Sequence, residues 1–281
     1  MGLRINTNVA SLNARRNLMG TKLSLDKNLE RLSSGFRINR AGDDAAGLAI
    51  SENLRAQVRG LKQASRNAQD GVSLVQVAEG GLNEVSNILI RLRELAVQAA
   101  SDTVGPVERQ FLNVEYDQLV SEVDRIADGT EFNGTSLLSG TGAILDFQVG
   151  TRNDPNIDRL SFDASKADAN SAALGVNLTS VADKASAQNS LGAIDAAIVS
   201  VSAMRADFGA VQNRLQSTIN NLSIALENLS AANSRIRDVD IAEETAELTK
   251  NNVLMQAGTS VLAQANQSSN AALSLLNQSF G

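Results

Sequence analysis

Between residues 45 and 101, apolar or small side chains recur at alternating intervals of four and three. That run constrains the fold more than any other feature of the chain. Leu54, Val58, Leu61, Ser65, Ala68, Val72 and Val75 make its first half, and Ala78, Leu82, Val85, Leu89, Leu92, Ala96 and Ala99 its second. Spacing of about 3.5 residues is the mark of a helix lying along a partner helix. Two successive steps of three, Val72 to Val75 to Ala78, overwind such a pairing locally. Gly80-Gly81, just beyond, is expected to loosen the helix. At 1.5 Å per residue the element would be roughly 85 Å long. It needs a partner of similar length.

A stretch of equal length, 181–237, meets that need. Its stripe runs Ile194, Ile198, Val201, Arg205, Phe208, Gln212, Leu215, Ile219, Leu222, Leu226, Leu229, Asn233 and Ile236 without a break in the four-three spacing. The polar members Arg205, Gln212 and Asn233 either reach solvent past the seam or fix register between the helices, and Asn233 is the better register candidate. Ser180 with Asp183 reads as a capping box that opens this helix near Val181.

Between the two long helices, Gly105-Pro106 marks a turn with proline at a first helical position. Leu112, Tyr116, Leu119, Val123 and Ile126 then give a shorter helix folding back on the first. Asn133-Gly134 predicts a tight turn. Leu145, Phe147 and Val149 alternate with polar residues, as do Leu160 and Phe162. That period of two predicts a β-hairpin closed near Asn153-Asp154-Pro155-Asn156. The Ala/Ser/Asn-rich run 164–180 reads as loop or weak structure, and 153–177 as dispensable for assembly.

The ends carry thinner stripes. Ile5, Val9 and Leu12 begin one, with Leu25, Leu29 and Leu32 on a shifted face. Gly35 supplies a left-handed stop after Ser33-Ser34. Leu254, Val261, Ala265, Ala272 and Leu275 make the matching C-terminal stripe. Isolated helices of this kind gain too little to hold themselves, so they are expected to order by packing against copies of the chain. Asp43-Asp44, before the long helix, reads as an N-cap; the sharper alternative is a metal or acid/base pair.

Composition narrows the chemistry. The chain has two prolines, one tyrosine, seven phenylalanines and no tryptophan, histidine or cysteine. Without His or Cys no ordinary nucleophile-and-base set can be assembled, and without cysteine there is no disulfide. Glu243-Glu244 and Asp238/Asp240 read as a solvated face or cap before an active site. No phosphate loop or metal-ligand spacing is present, so no cofactor is expected. A net charge of −6 and the lack of a Lys/Arg run argue against a nucleic-acid partner. No apolar run approaches a membrane span, and the start MGLRINTNVASLNARRN lacks the apolar run of a cleaved secretion signal.

Residues 31–50, RLSSGFRINRAGDDAAGLAI, resemble the signature of the bacterial flagellins, the subunits of the flagellar filament. INTN at 5–8, NAQDG at 67–71 and RLRELAVQAA at 91–100 match as well. FGAVQNRL at 208–215, NLSAANSRIRDVD at 228–240 and QAGTSVLAQANQ at 256–267 are similar to the family's C-terminal half. The resemblance covers roughly 1–140 and 190–281. Phe36, Val239 and Ser268-Ser269 depart from the family's more usual residues.

The resemblance implies a mainly α protein, a long coiled-coil-like bundle of N- and C-terminal halves with a small β-hairpin region in the middle. Residues 1–44 and 238–281 would form the inner-tube domain, 45–140 and 181–237 the two halves of the rod, and 141–180 a short variable region facing the medium. It implies a filament subunit for swimming motility, a helical homopolymer outside the cell. The alternative is a hook–filament junction protein of the same superfamily. Further implied partners are a secretion chaperone, the flagellar export apparatus, the filament cap and the hook-associated junction proteins. Recognition by an animal innate immune receptor is implied at Arg91, Leu95 and Glu115; equally, these residues could pack between subunits. Val9, Leu12, Leu254 and Val261, with Ile5 and Leu275, would be the assembling residues of the terminal helices.

Overall fold

The computed structural model describes residues 7–278, with 268–278 described by their helical backbone alone. Ile5 and the side chain of Leu275 therefore lie outside the described residues. The chain is mainly helical: α1 (Val9–Ser34), α2 (Ala45–Ala100), α3 (Pro106–Gly129), α4 (Lys184–Arg237) and α5 (Ile241–Gln278). Four short strands pair as two antiparallel hairpins, β1 (Glu131–Phe132) with β2 (Thr135–Ser136) and β3 (Ile144–Gln148) with β4 (Arg159–Asp163). Residues 57–228 form one compact unit, and the residues up to 56 and from 229 form a second.

In the 57–228 unit α2 and α4 run antiparallel. Leu215 lies against Gly71, Arg205 reaches Glu79 at 3.9 Å, and Asp195 accepts from Arg93 at 2.7 Å, so moving forward along α2 goes with moving back along α4. The predicted seam is the core. Leu89, Leu92, Leu215 and Leu222 are buried, with Val58, Leu61 and Ile198 half-buried along it. Leu54 and Leu229 are half-buried in the other unit. Arg205 thus leaves the seam to pair with a carboxylate. Asn233 is half-buried, and its Oδ1 accepts no hydrogen bond among the described residues, so no such bond fixes register there.

The glycine pair does not interrupt α2. A side chain at Gly80 would meet open space, whereas one at Gly81 would stand 2.6 Å from the Thr130 hydroxyl and 2.8 Å from Leu138. Gly81 is there for close approach of the segment after α3, not for looseness. α3 opens with Pro106 after Gly105, and Arg109 donates to the Ala99 and Ser101 carbonyls at 2.8 and 2.9 Å, satisfying the end of α2. Tyr116, Val123 and Ala127 are buried against the core.

Asn133 (φ 51°) and Gly134 (φ 75°) form the two-residue turn that joins β1 to β2. Positive φ at both central positions is what such a hairpin demands. In β4, Leu160 and Phe162 turn inward, and the Phe162 ring lies 4.7 Å from that of Phe208 on α4.

Two expectations are corrected in the middle of the chain. Residues 164–180 are packed rather than loose. Ala164, Ala167, Ala169, Leu174 and Val176 are buried, and Ser171 donates its N–H and hydroxyl to the two Asp124 oxygens at 2.7 and 2.8 Å. Small side chains let this segment lie close to its neighbours, and that same smallness removes the periodic signal. The capping box is also absent. Asp183 alone caps α4, accepting from the Ser186 N–H at 3.0 Å, while the Ser180 hydroxyl donates to Asn113.

In the other unit Gly35 (φ 74°) ends α1 as predicted, its N–H reaching the Arg31 carbonyl. The two connectors meet as a single antiparallel bridge, Phe36 to Asp238, flanked by Arg37 N–H to the Arg237 carbonyl at 2.7 Å and Val239 N–H to the Gly35 carbonyl at 3.1 Å. Arg237 stacks over Phe36 and donates to Glu52 at 2.6 Å. The acidic pair divides its work. Asp44 caps α2 through the Gly47 N–H, whereas Asp43 accepts from the Asn39 and Arg40 N–H groups and pairs with Lys27 at 2.8 Å. The Lys27 ammonium, with those N–H groups, holds the Asp43 carboxyl down at about 2. No helix among the described residues is long and apolar enough to cross a membrane.

Candidate assembly surface

α1 and α5 pack side by side, and the seam between them is unexpectedly polar. On α1 the inward positions are Ser11, Ala14, Leu18, Thr21, Leu25, Asn28 and Leu32, spaced three and four apart. On α5 they are Glu244, Leu248, Asn251, Met255, Gly258, Leu262 and Ala265, spaced four and three apart. Leu18 sits over Gly258, whose lack of a side chain makes room for it. The Ser11 hydroxyl donates to Asn266 at 3.0 Å, and the Asn8 amide donates to the Ala265 carbonyl at 2.8 Å.

At the middle of this seam lies a polar cluster. With its amide in the orientation that satisfies its neighbours, Asn28 donates to the Ser24 carbonyl at 3.0 Å and to Glu244 at 2.9 Å. It accepts from the Leu248 N–H at 3.3 Å and the Asn251 amide at 3.1 Å. Arg31 reaches the same Glu244 at 3.5 Å. Asn28, Glu244 and Asn251 are all buried. A polar group at core positions of a coiled coil fixes register at a cost in stability. The seam is therefore well aligned and weakly held.

Beyond the leucines of the seam, nine further large apolar residues of the pair stay exposed. Val9, Leu12, Met19, Leu23 and Leu29 on α1 are 50–68% exposed, and Ile241, Val253, Leu254 and Val261 on α5 are 47–59% exposed. Leu29 thus lies off the seam that Leu25 and Leu32 join. Val9, Leu12, Leu254 and Val261, the terminal residues singled out by pattern, all belong to this outer face. A large apolar surface rimmed by polar residues marks a protein–protein contact.

Of the three residues tied to receptor recognition, the structure brings two together. Arg91 donates to Glu115 through Nε at 2.9 Å and Nη2 at 2.7 Å, and through Nη1 to Glu94 at 3.0 Å; these carboxylates hold its guanidinium more firmly protonated than usual. Leu95 lies apart from them. It is 0% exposed, sealed within the core beside Leu92 and Ala96, and offers no surface to a receptor. Ile90, next to Arg91 in the chain, is 48% exposed. Among the described residues no three His, Cys, Asp or Glu gather as a metal site.

Two coiled-coil units, one with its most apolar face uncovered, define a structural subunit built to be packed against. Comparison with known proteins says of which kind. Residues 5–143 match the bacterial flagellin N-terminal helical region and residues 191–276 the bacterial flagellin C-terminal helical region. Flagellin of Halalkalibacterium halodurans is 50% identical over 273 residues, covering 97% of this chain and 99% of that protein. The flagellar filament 33 kDa core protein of Treponema phagedenis is 46% identical over 288 residues, with 97% and 99% covered. The crystal structure of Bacillus cereus flagellin superposes with a TM-score of 0.50 at 35% identity, covering 60% of this chain and 94% of that one. The chain belongs to the bacterial flagellin family, whose members are structural filament proteins and not enzymes.

Proposed function

We propose that the outer face of the α1/α5 pair is the polymerising surface of a flagellar filament subunit. One observation carries the reading: the pair buries a polar cluster within its seam and leaves nine large apolar side chains exposed outside it. Each Leu or Val that a neighbour covers contributes roughly 1.5–3 kcal/mol. Copies packed around a common axis would supply that cover. The filament role accords with relatives named as filament proteins over nearly their whole length, which favours it over a hook–filament junction role.

The same face is the natural site for a secretion chaperone during export, since an uncovered apolar helix pair needs shielding before assembly. Growth under a cap, contact with junction proteins and passage through the flagellar export apparatus without a cleaved signal belong to this reading. So does recognition of the free subunit by an animal innate immune receptor at the Arg91–Glu115 pair. On this reading the 1–44 and 238–281 segments line the inner tube and the long helices the outer one.

The test replaces Val9, Leu12, Leu254 and Val261 by Asn or Gln. These positions are exposed, so helicity by circular dichroism is expected to hold while sedimentable polymer disappears. Polymer of normal yield from the folded variant would overturn the assignment.

A further inference from the structure

A helical homopolymer requires a head-to-tail contact, one patch on each copy fitting a different patch on the next. The 57–228 unit carries such a pair near its two ends. We propose that Leu178 of one copy seats in the cleft between α4 and residues 149–160 of the next. The inference rests on the filament-subunit reading above.

A single exposed leucine needs no explanation. Leu178 is distinguished by its frame: it is 91% exposed between Val176 and Val181, both fully buried. Both flanks are pinned. The Val176 N–H donates to the Ser171 carbonyl at 2.9 Å, and Thr179 shares a 2.6 Å hydrogen bond with the Tyr116 hydroxyl and donates another of 2.6 Å to the Val176 carbonyl. The leucine is therefore presented on a rigid turn, with little ordering left to be done on binding.

The cleft at the other end has a volume of about 590 Å³. Leu61, Leu160, Leu222 and the rim residue Ile157 supply the apolar part of its lining, with Ser217 and Thr218 on the α4 wall and Arg159 and Arg214 among its polar part. Leu178 cannot reach the cleft of its own chain. Tyr116, which holds the turn, is next to Glu115 and so level with Arg91 of α2. The cleft is level with Leu61, about 45 Å away at 1.5 Å per helical residue. The occupant is a second copy.

Charge supports the same pairing. The cleft end, residues 57–72, 149–160 and 212–224, holds six Lys/Arg against three Asp, a net charge of +3. The leucine end, residues 88–121 and 174–197, holds four Lys/Arg against seven Asp/Glu, a net charge of −3. Opposite potentials on two docking patches steer approach and set register.

The chain has no cysteine, so crosslinking probes can be placed singly. Leu178→Cys and Ser217→Cys copies are polymerised together and treated with a short bismaleimide. A covalent dimer is expected from the mixed polymer, and none from either variant alone or from mixed monomers. Polymer without that dimer overturns the inference and leaves the filament reading standing; failure of the wild-type chain to pellet overturns the filament reading itself. Leu178→Arg brings a cation to the basic cleft from an exposed position that folding does not use. It is expected to raise the concentration needed for polymer growth about tenfold or more. Growth at the wild-type concentration sinks the inference, whatever the cysteine copies do.

Discussion

Asp43 and Lys27 meet at 2.8 Å across the turn from α1 to α2, and the same carboxylate closes the connector on the Asn39 and Arg40 N–H groups. Its pKa falls from 3.8 to about 2, chiefly through the Lys27 hydrogen bond. A folded-state value below the unfolded one means the contribution is complete above pH 3.8 and disappears as pH falls through about 2. With Lys27 45% exposed, solvent screening leaves on the order of 1 kcal/mol. Asp43→Asn is therefore expected to melt below wild type at pH 6, with the gap closing near pH 2. A gap that persists undiminished at pH 2 would assign the loss to packing instead.

Adjacent glycines in α2 are expected to respond with opposite sign. Gly80→Ala enters open space in mid-helix and is expected to stabilise by about 0.5–1 kcal/mol. Gly81→Ala meets Thr130 and Leu138, and Thr130 is tied to the Ile126 carbonyl at 2.6 Å and cannot easily yield. That substitution is expected to cost about 1–3 kcal/mol. Urea titration followed by the fluorescence of Tyr116, the chain's one tyrosine, reads both from within the 57–228 unit. Equal effects at the two positions would mean that helix propensity, not close approach, governs this stretch.

The packed middle makes the opposite prediction to the sequence pattern. Phe162→Ala removes a buried ring packed against Phe208 at a tilt and is expected to cost about 3–5 kcal/mol. Deleting 153–177 takes Leu160, Phe162, Leu174 and Val176 from one core and is expected to unfold the unit, lowering helicity before any question of assembly arises. A deletion variant with wild-type helicity and melting would restore the reading of this segment as a dispensable loop.

Large side chains repeating at 3.5 residues made α2, α3 and α4 legible in advance, because burial there is carried by Leu, Ile and Val. The turn residues Gly35, Pro106 and Asn133-Gly134 were legible for local reasons of backbone geometry. The seam of α1 with α5 was not. Its inward residues include Ser11, Thr21, Asn28, Asn251 and Gly258, which carry no apolar signal, while Val9, Leu12 and Leu254 advertise the opposite face. Pattern reading finds exposed apolar residues as readily as buried ones, and on the assembly reading proposed above those residues belong to the neighbour. The Asn28–Glu244–Asn251 cluster had a signal of its own, polar residues at seam spacing on two terminal helices, visible only once their pairing is known. The burial of Leu95 was not legible for a related reason: in α2 the buried stripe is two residues wide at Leu95-Ala96, where the seam pattern uses only Ala96.

That burial sharpens the last prediction, on receptor recognition. Arg91→Ala removes an exposed side chain and its exposed ion pairs, so stability is expected to change little. Signalling by the monomer is expected to fall all the same, since the variant strips the guanidinium that Glu94 and Glu115 share. Leu95→Ala, by contrast, opens a core cavity at about 2–5 kcal/mol. Any loss of signalling it causes is expected to track the fraction unfolded and to recover under conditions that restore folding. Crosslinked polymer is expected to signal far less than monomer if the Arg91 surface is covered between copies. Unchanged monomer signalling by folded Arg91→Ala would remove Arg91 from the recognition surface. A Leu95→Ala protein that stays fully folded yet silent would show that the receptor gains access to a residue the free subunit keeps buried.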